Sequence, residues 1–360
     1  MKISLTFFLV VMAYAFFKHG IKLPNESTPQ NIPVEVKEKV SVVHHEDEKK
    51  VTIMMDGELF TSYIYPDDLE KPVLYPVVAP GNITLTRGFP LEAKAGERVD
   101  HPHHVGIWMN YGDVNGLDFW NNSYNIPEDK KEDYGSIRHQ NVISTKSGEE
   151  GILQVSADWM TPQGNQLLDE QTTFYFREED DQRIIDRVVV LKAQGEKVNF
   201  NDNKEGMIAI RVTRALEFPS EKPLKLTDGQ GKPMEEAVLD NEGVNGNYLS
   251  SEGVSGEEVW GKRAEWMKLY GEVDGEQVAI AIIDHPQNPG YPTYWHARTY
   301  GLFAANPLGQ AVFSDGKESL NLSLNPNEEI TFRYRMVVSS GESLTETQLN
   351  ALAKDFSQVL

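Results

Sequence analysis

The sequence predicts an all-β fold: a large antiparallel β-sandwich finished by one short C-terminal helix. Three observations predict it. Short runs that alternate apolar and polar residues recur along most of the chain. Polar turns rich in Gly, Asn, Asp and Glu separate them at regular spacing. Only one segment, near the C-terminus, carries a clear helical period.

The totals set the limits. A chain of 360 residues is enough for one large β domain or two ordinary ones. Apolar residues make up 39%, which suits a sheet protein with many loops. The formal net charge is −21, so the chain repels a phosphate backbone and nucleic acid is excluded as a partner class. There is no cysteine. Disulfides, thiolate metal sites, iron–sulfur clusters and a cysteine nucleophile are all excluded with it.

The N-terminus reads as a signal peptide over residues 1–15. Lys2 is the positive start, Ile3 to Phe17 is almost wholly apolar, and Ala13-Tyr14-Ala15 is a small-x-small cleavage site. The run is shorter than the ~20 residues of a spanning helix, so an uncleaved anchor is the weaker alternative. No other stretch is apolar for long enough, so no membrane span is expected after signal removal, and the mature chain is expected to be secreted or periplasmic. Residues 16–33, polar and with three prolines, read as a linker. Residues 34–360 are then expected to form one β-sandwich domain.

Within it, Lys50 to Met55 and Glu58 to Tyr65 form a hairpin around Asp56-Gly57. Val73 to Val78, Asn82 to Arg87 and Val105 to Tyr111 read as further strands. A meander follows: Asn141 to Thr145, Ile152 to Met160, Glu170 to Phe176 and Arg183 to Leu191. Val198 to Asn201 and Met207 to Thr213 add two more. Thr227 to Gly256 is too long and polar for a plain connection and reads as a functional loop or lid. Met267 to Val273 and Gln277 to Asp284 form a hairpin around Asp274-Gly275, and Glu318 to Leu324 and Glu329 to Val338 close the sheet. The helix is expected over 343–357, with Ser343 and Glu346 at capping-box spacing and Leu349, Leu352 and Phe356 on one face.

Chemistry concentrates in two stretches. The first, Asp100 to Trp120, holds His101, His103 and His104, Trp108 and Trp120, and Asp113 and Asp118. The second, Asp284 to Arg298, holds His285 and Tyr294-Trp295-His296-Ala297-Arg298. The two are expected to meet in space. In an extended segment His101 and His103 share one face and His104 takes the other, although Pro102 interrupts the pattern. Such histidines act as an acid or base near neutral pH, bind one divalent metal ion through His101 and His103, or simply hold a turn. His103, His104 and His296, with Glu205 or Asp118 as carboxylate, are the expected catalytic groups. Arg87, Trp108, Asn115, Trp120, His285, Trp295 and Arg298 are the expected substrate-binding groups. Asp284 is placed to orient His285, and Arg211 to bind a carboxylate or hydroxyl pair. Trp beside His and Arg suits a sugar, whose flat C–H face stacks on an indole while polar groups take its hydroxyls. Each Trp is equally read as core. There is no phosphate loop, no G-x-S-x-G and no H-E-x-x-H, so nucleotide, serine-hydrolase and zincin chemistry have no support.

Several motifs resemble one family. Asp100-His-Pro-His-His-Val-Gly-Ile-Trp108, Gly112-Asp-Val-Asn-Gly-Leu-Asp-Phe-Trp120, Lys204-Glu-Gly-Met207, Trp260-Gly-Lys-Arg-Ala-Glu-Trp266 and Asp284 to Arg298 look like the uncharacterised bacterial family labelled "methane oxygenase PmoA". The resemblance runs from about Val51 to Val338. It implies an exported β-sandwich protein and carries over no residue roles. Strand number, length and histidine content also make the fold analogous to the galactose-mutarotase-like supersandwich. The expected function is acid–base chemistry on a small-molecule carbohydrate without a nucleotide or other cofactor. The alternatives are a non-catalytic carbohydrate-binding protein and a His-ligated metal enzyme.

Overall fold

Alternation of inward and outward side chains builds this molecule. In the stretch Gly151–Met160 every second residue is buried, and Leu153, Val155, Ala157 and Trp159 all point to one core. The computed structural model describes residues 38–179, 181–341 and 344–359. The expected signal peptide and linker, and Ser343 of the expected capping box, lie outside the described residues.

The chain starts with β1 (Val40–His45), β2 (Lys50–Met55), β3 (Glu58–Ile64), β4 (Val73–Ala79), β5 (Ile83–Thr84) and β6 (Ile107–Met109). The meander follows as β7 (Ser136–Lys146), β8 (Gly151–Met160), β9 (Gln166–Glu179) and β10 (Gln182–Ala193). Then come β11 (Val198–Asn199), β12 (Ile208–Arg211), β13 (Asn247–Ser250), β14 (Trp266–Val273) and β15 (Glu276–Asp284). The last strands are β16 (Tyr294–Ala297), β17 (Leu302–Asn306), β18 (Ser323–Leu324) and β19 (Glu329–Ser340), with helices α1 (Gln310–Phe313) and α2 (Glu346–Phe356).

They form two large antiparallel sheets and a separate two-stranded sheet of β11 with β18. The first runs β1-β2-β3-β4-β6-β12-β17-β16, with β5 beside β4. The second runs β13-β14-β15-β19-β10-β9-β8-β7. Their inner faces share one core: Ile53, Ile107, Ile208 and Phe303 from the first sheet, and Trp159, Phe176, Ile282 and Met336 from the second. Burying each such side chain contributes roughly 1.5–3 kcal/mol. The fold is therefore the expected antiparallel β-sandwich.

The C-terminal helix covers the outer face of the second sheet. Leu349 and Phe356 are buried there with Trp266, Ile283 and Val337. Its capping box is made by Thr345 and Gln348, one hydroxyl and one amide each answering the other's backbone N–H. The Ser343 and Glu346 pairing expected from spacing is therefore replaced. Among the described residues, no helix is long and apolar enough to cross a membrane.

Two other expectations change. The segment from Thr227 to Gly256 is tied into the body instead of forming a lid. Thr227 is buried and receives the Glu97 backbone N–H, and Asn247–Ser250 enters the second sheet as its edge strand. The strand expected over Asn82 to Arg87 forms a named strand only at Ile83–Thr84 beside β4. Beyond it Thr86 bridges Val212 and Arg87 N donates to Arg211 O at 3.1 Å, while the Arg87 side chain turns inward to hold a loop.

Candidate functional site

Cross-strand register places the site on the outer face of the first sheet. Trp108 on β6 faces Ala209 on β12, Ala209 faces Ala304 on β17, and Ala304 faces His296 on β16. Paired residues share a face, so these four form one row. The neighbouring row, Met109, Ile208, Ala305 and Trp295, points into the core between the sheets. Two alanines between a tryptophan and a histidine make a low floor, about 14 Å across at ordinary strand spacing. Trp108, Ala209 and Ala304 are fully buried there, packed with Trp120, Leu302 and Tyr300.

At one end of the floor stands His296. Its Nδ1 donates to the Lys204 carbonyl at 2.6 Å and lies 3.8 Å from Glu205 Oε2. With the proton on Nδ1, neutral His296 keeps its lone pair on Nε2. Burial lowers its pKa and Glu205 partly restores it. The Glu205 loop is pinned from several sides. Asn306 Nδ2 donates to the carbonyls of Asn203 and Lys204, each at 2.9 Å, and Glu205 N donates to Asn203 Oδ1 at 2.9 Å. Gly112 N donates to Glu205 O at 2.8 Å. A Cβ at Gly112 would meet Glu205 Cβ at 2.8 Å, so only glycine allows this approach. Glu205 also pairs with Lys204. Asp118 is half-buried, and burial raises its pKa, with Glu205 adding to the rise. Its oxygens accept from the backbone of Trp120 and Asn121, so it fixes its own turn as well.

At the other end is the histidine loop. His101 has φ +42°, and His104 N donates to His101 O at 3.0 Å. That turn breaks the alternation expected from sequence. His101 and His104 stack instead of facing apart, and His103 meets His104 edge-on at 4.3 Å between centroids. Tyr300 stacks on His101 at 4.9 Å, and Trp108 lies on the far side of His104 at 5.1 Å. Arg211 Nη1 lies 3.2 Å from His104 Nδ1, and an arginine can only donate, so His104 carries its proton on Nε2. Burial holds His104 well below the usual histidine range, and burial followed by the Lys71 charge takes His103 to about 2. Both are neutral side chains at physiological pH. Both rings stand in the wall of the loop, packed on His101 and Trp108.

Charged groups clamp the loop from below. Arg87 Nη1 donates to Asp100 O and Oδ1 at 2.8 Å, and Nη2 donates to His101 O at 2.8 Å and His104 O at 3.1 Å. Arg87 is thus spent on the loop and not free for substrate. Arg211 Nη2 donates to Asp100 Oδ1 at 2.7 Å, and buried Glu217 receives Arg98 and Arg214. Burial alone would raise the Asp100 carboxyl, but Arg211, His101 and Arg87 outweigh it and hold it well below the carboxylate range.

The remaining expected residues separate. Trp295 is in the core, its Nε1 donating to Ala264 O at 3.1 Å, and cannot meet a sugar. Trp108 and Trp120 are fully buried and pack together under the histidine loop, with centroids 5.2 Å apart. Asn115 takes φ +53° and bonds Asn199 and Lys197, a turn role. His285 lies away from the floor, edge-on to Phe356 of α2 at 5.0 Å. Asp284 binds the backbone N–H of His285 and Thr293 and the Asn288 amide, so it does not orient the imidazole. Only the second half of the Asp284 to Arg298 stretch reaches the site. Arg298 is exposed, with its guanidinium over the rings of Trp260 and Tyr300, each at 5.7 Å. Among the described residues no three His, Asp or Glu side chains converge as metal ligands.

Two residues escaped the sequence reading. Tyr300 sits two positions past Arg298, close enough to have been found by extending that motif. Lys71 is buried, donates to His103 O at 2.8 Å and lies 5.5 Å over Trp108. Burial brings its pKa down to about 7. No motif surrounds it in the sequence.

Residues 50–354 match the model of a family of unknown function, DUF6807. The chain belongs to this family. The resemblance drawn from the motifs is met at that level, an uncharacterised family, and the oxygenase label is no part of its description. No curated protein matches the DUF6807 chain. Among solved structures it aligns with the galactosidase domain of the α-galactosidase-sucrose kinase AgaSK at 10% identity and TM-score 0.39, over 84% of this chain and 42% of that one. It aligns with the GH36 α-galactosidase AgaA from Geobacillus stearothermophilus at 11% and 0.37, over 85% and 41%. It aligns with a galactose mutarotase-like protein from Clostridium acetobutylicum at 11% and 0.34, over 85% and 99%. The chain thus spans 42% and 41% of the two galactosidase chains.

Proposed function

We propose that this DUF6807 protein is an exported acid–base enzyme acting on a sugar or glycoside, with His296 and Glu205 as its reacting pair. One observation carries the reading: His296 has its Nδ1 held by the Lys204 carbonyl, with the Glu205 carboxylate 3.8 Å away. In that state Nε2 is the base. It takes a proton from the substrate, Glu205 offsets the imidazolium charge, and the proton returns to the product. Arg298 supplies a donor fork for hydroxyls. Epimerisation, elimination and hydrolysis all use such a pair.

The test begins with a thermal-shift screen of aldoses, uronic acids, keto-sugars and short glycosides, since a ligand of the native state raises the melting temperature. Product analysis on each hit follows, with His296→Ala and Glu205→Gln beside the wild type. Conversion by the wild type and its loss in both variants, at unchanged melting temperature, is the expected result. Binding without conversion makes the protein a carbohydrate-binding module. Full turnover in His296→Ala sinks the mechanism.

A further inference from the structure

A cleft of about 370 Å³ opens where the edges of the two sheets meet, lined by His44, Lys49, Tyr65, Asp67, Arg138 and His139. None of these belongs to the His296 floor. His44 comes from β1, Tyr65 follows β3, and Arg138 and His139 come from β7. The chain from Tyr65 to Pro72 forms a partition. Tyr65, Asp67, Leu69 and Lys71 line the cleft, and the Lys71 amine bonds the His103 carbonyl of the histidine loop.

The cleft carries a fixed aromatic wall. The rings of Tyr65 and His139 lie 3.8 Å apart, tilted by 30°, and Tyr63 meets His139 edge-on at 5.6 Å. The Tyr63 hydroxyl lies 3.1 Å from His139 Nδ1, and His44 Nε2 lies 2.7 Å from the Tyr65 hydroxyl. These bonds hold the rings in place before any ligand arrives, which lowers the ordering cost of binding. The rim is polar and balanced. Lys49 pairs with Asp67, and Arg138 Nη2 pairs with Glu70 Oε2 at 2.5 Å. Burial, then His44, hold His139 down to about 4, so it is neutral at pH 7. The rim cations Lys49 and Arg138 are already paired and the Lys71 amine is held by a carbonyl, so the rim offers an anion little, and an apolar ligand would waste the donors and acceptors. A neutral ligand with a flat C–H face and many hydroxyls uses both the wall and the rim. The volume falls at the low end of the roughly 300–1,000 Å³ of small-molecule sites, room for about one or two sugar rings.

We propose that this cleft is a second, non-catalytic binding site for a neutral saccharide, separate from His296 and Glu205. The site stands whether or not the floor is catalytic, and the two readings fail by different results. The test is calorimetric titration of the whole protein with maltose, cellobiose, lactose and methyl β-galactoside. The wild type is expected to bind at least one of them with Kd of about 1–10 mM. Tyr65→Ala should weaken that binding by about tenfold or more, the scale of losing an aromatic contact with its hydrogen bond. Asp67→Asn, at a side chain whose exposure keeps folding out of the question, should weaken it by about threefold. His296→Ala should leave Kd unchanged. No binding of any of the four sugars up to about 50 mM overturns the proposal. So does equal affinity in the wild type, Tyr65→Ala and Asp67→Asn. Loss in His296→Ala alone assigns the sugar to the floor and removes the cleft from consideration.

Discussion

His101 and His104 lie ring on ring, with centroids 4.8 Å apart and planes 3° apart. The turn from His101 O to His104 N and the left-handed φ of His101 bring residues i and i+3 together, where an extended chain would hold them apart. Tyr300 and Trp108 extend the stack on either side. The loop is thereby a rigid wall beside the His296 floor, and its cost in buried imidazoles should be visible in solution.

His103 should make the protein acid-sensitive. Burial, then Lys71, hold it at about 2 in the native state, whereas an unfolded histidine takes its proton near pH ~6.5. Below that pH the unfolded chain binds more protons, so stability is fully present above ~6.5 and is lost as pH falls toward ~2. The slope is about 1.4 kcal/mol per pH unit for each such histidine. His103→Gln should lower the slope of unfolding free energy by about one proton between about pH 6 and pH 4, read from urea titrations. A slope equal to wild type would mean that native His103 is protonated in that range.

Arg87 should matter for stability and not for ligand contact. Arg87→Met strips donors from Asp100 and from the carbonyls of His101 and His104. Asp100 keeps Arg211, but the carbonyls of Asp100 and His104 lose their donor, and the expected loss is roughly 3 kcal/mol. Arg87→Lys keeps the charge but not the fork and should fall between the two. Denaturant midpoints decide it, and a loss below about 1 kcal/mol would show the clamp to be dispensable.

His296 should titrate low, and lower still without its carboxylate. Burial depresses it while the Glu205 charge pulls it back up. Nitrogen-15 NMR of the imidazole should give a midpoint below ~6.5 and the proton on Nδ1. In Glu205→Gln the midpoint should move further down. An upward move would contradict the pairing.

Trp295 should behave as core. Trp295→Ala is expected to cost about 3–5 kcal/mol by thermal or chemical unfolding. The fraction that remains folded should bind any floor ligand with unchanged affinity. A selective loss of affinity at normal stability would put the indole in the site.

Much of this protein can be read from sequence. Period-two alternation is a local property, and the hairpins at Asp56-Gly57 and Asp274-Gly275 form where their turn residues stand. Short strands were harder. Tyr294–Ala297 and Leu302–Asn306 are buried on both faces, so they show no alternation to read. The sequence defines no element at β1, and β13 sits inside a stretch whose polarity suggests a loop.

The sequence by itself determined the antiparallel sandwich, the absence of cysteine chemistry and the two chemically dense stretches, because composition and alternation are properties of neighbours along the chain. Only the tertiary structure decided which members of those stretches act together. Trp295 and His296 are adjacent in sequence, and adjacent strand residues must face opposite ways. One faces the core and the other the floor, and the choice rests on the pairing of β16 with β17. Glu205 reaches His296 from a loop some ninety residues earlier because Asn306 and Gly112 hold that loop in place. His285 is lost from the site because its half of the stretch follows β15 into the other sheet. Register and long-range pairing carry that information, and neither is written in any local window of residues.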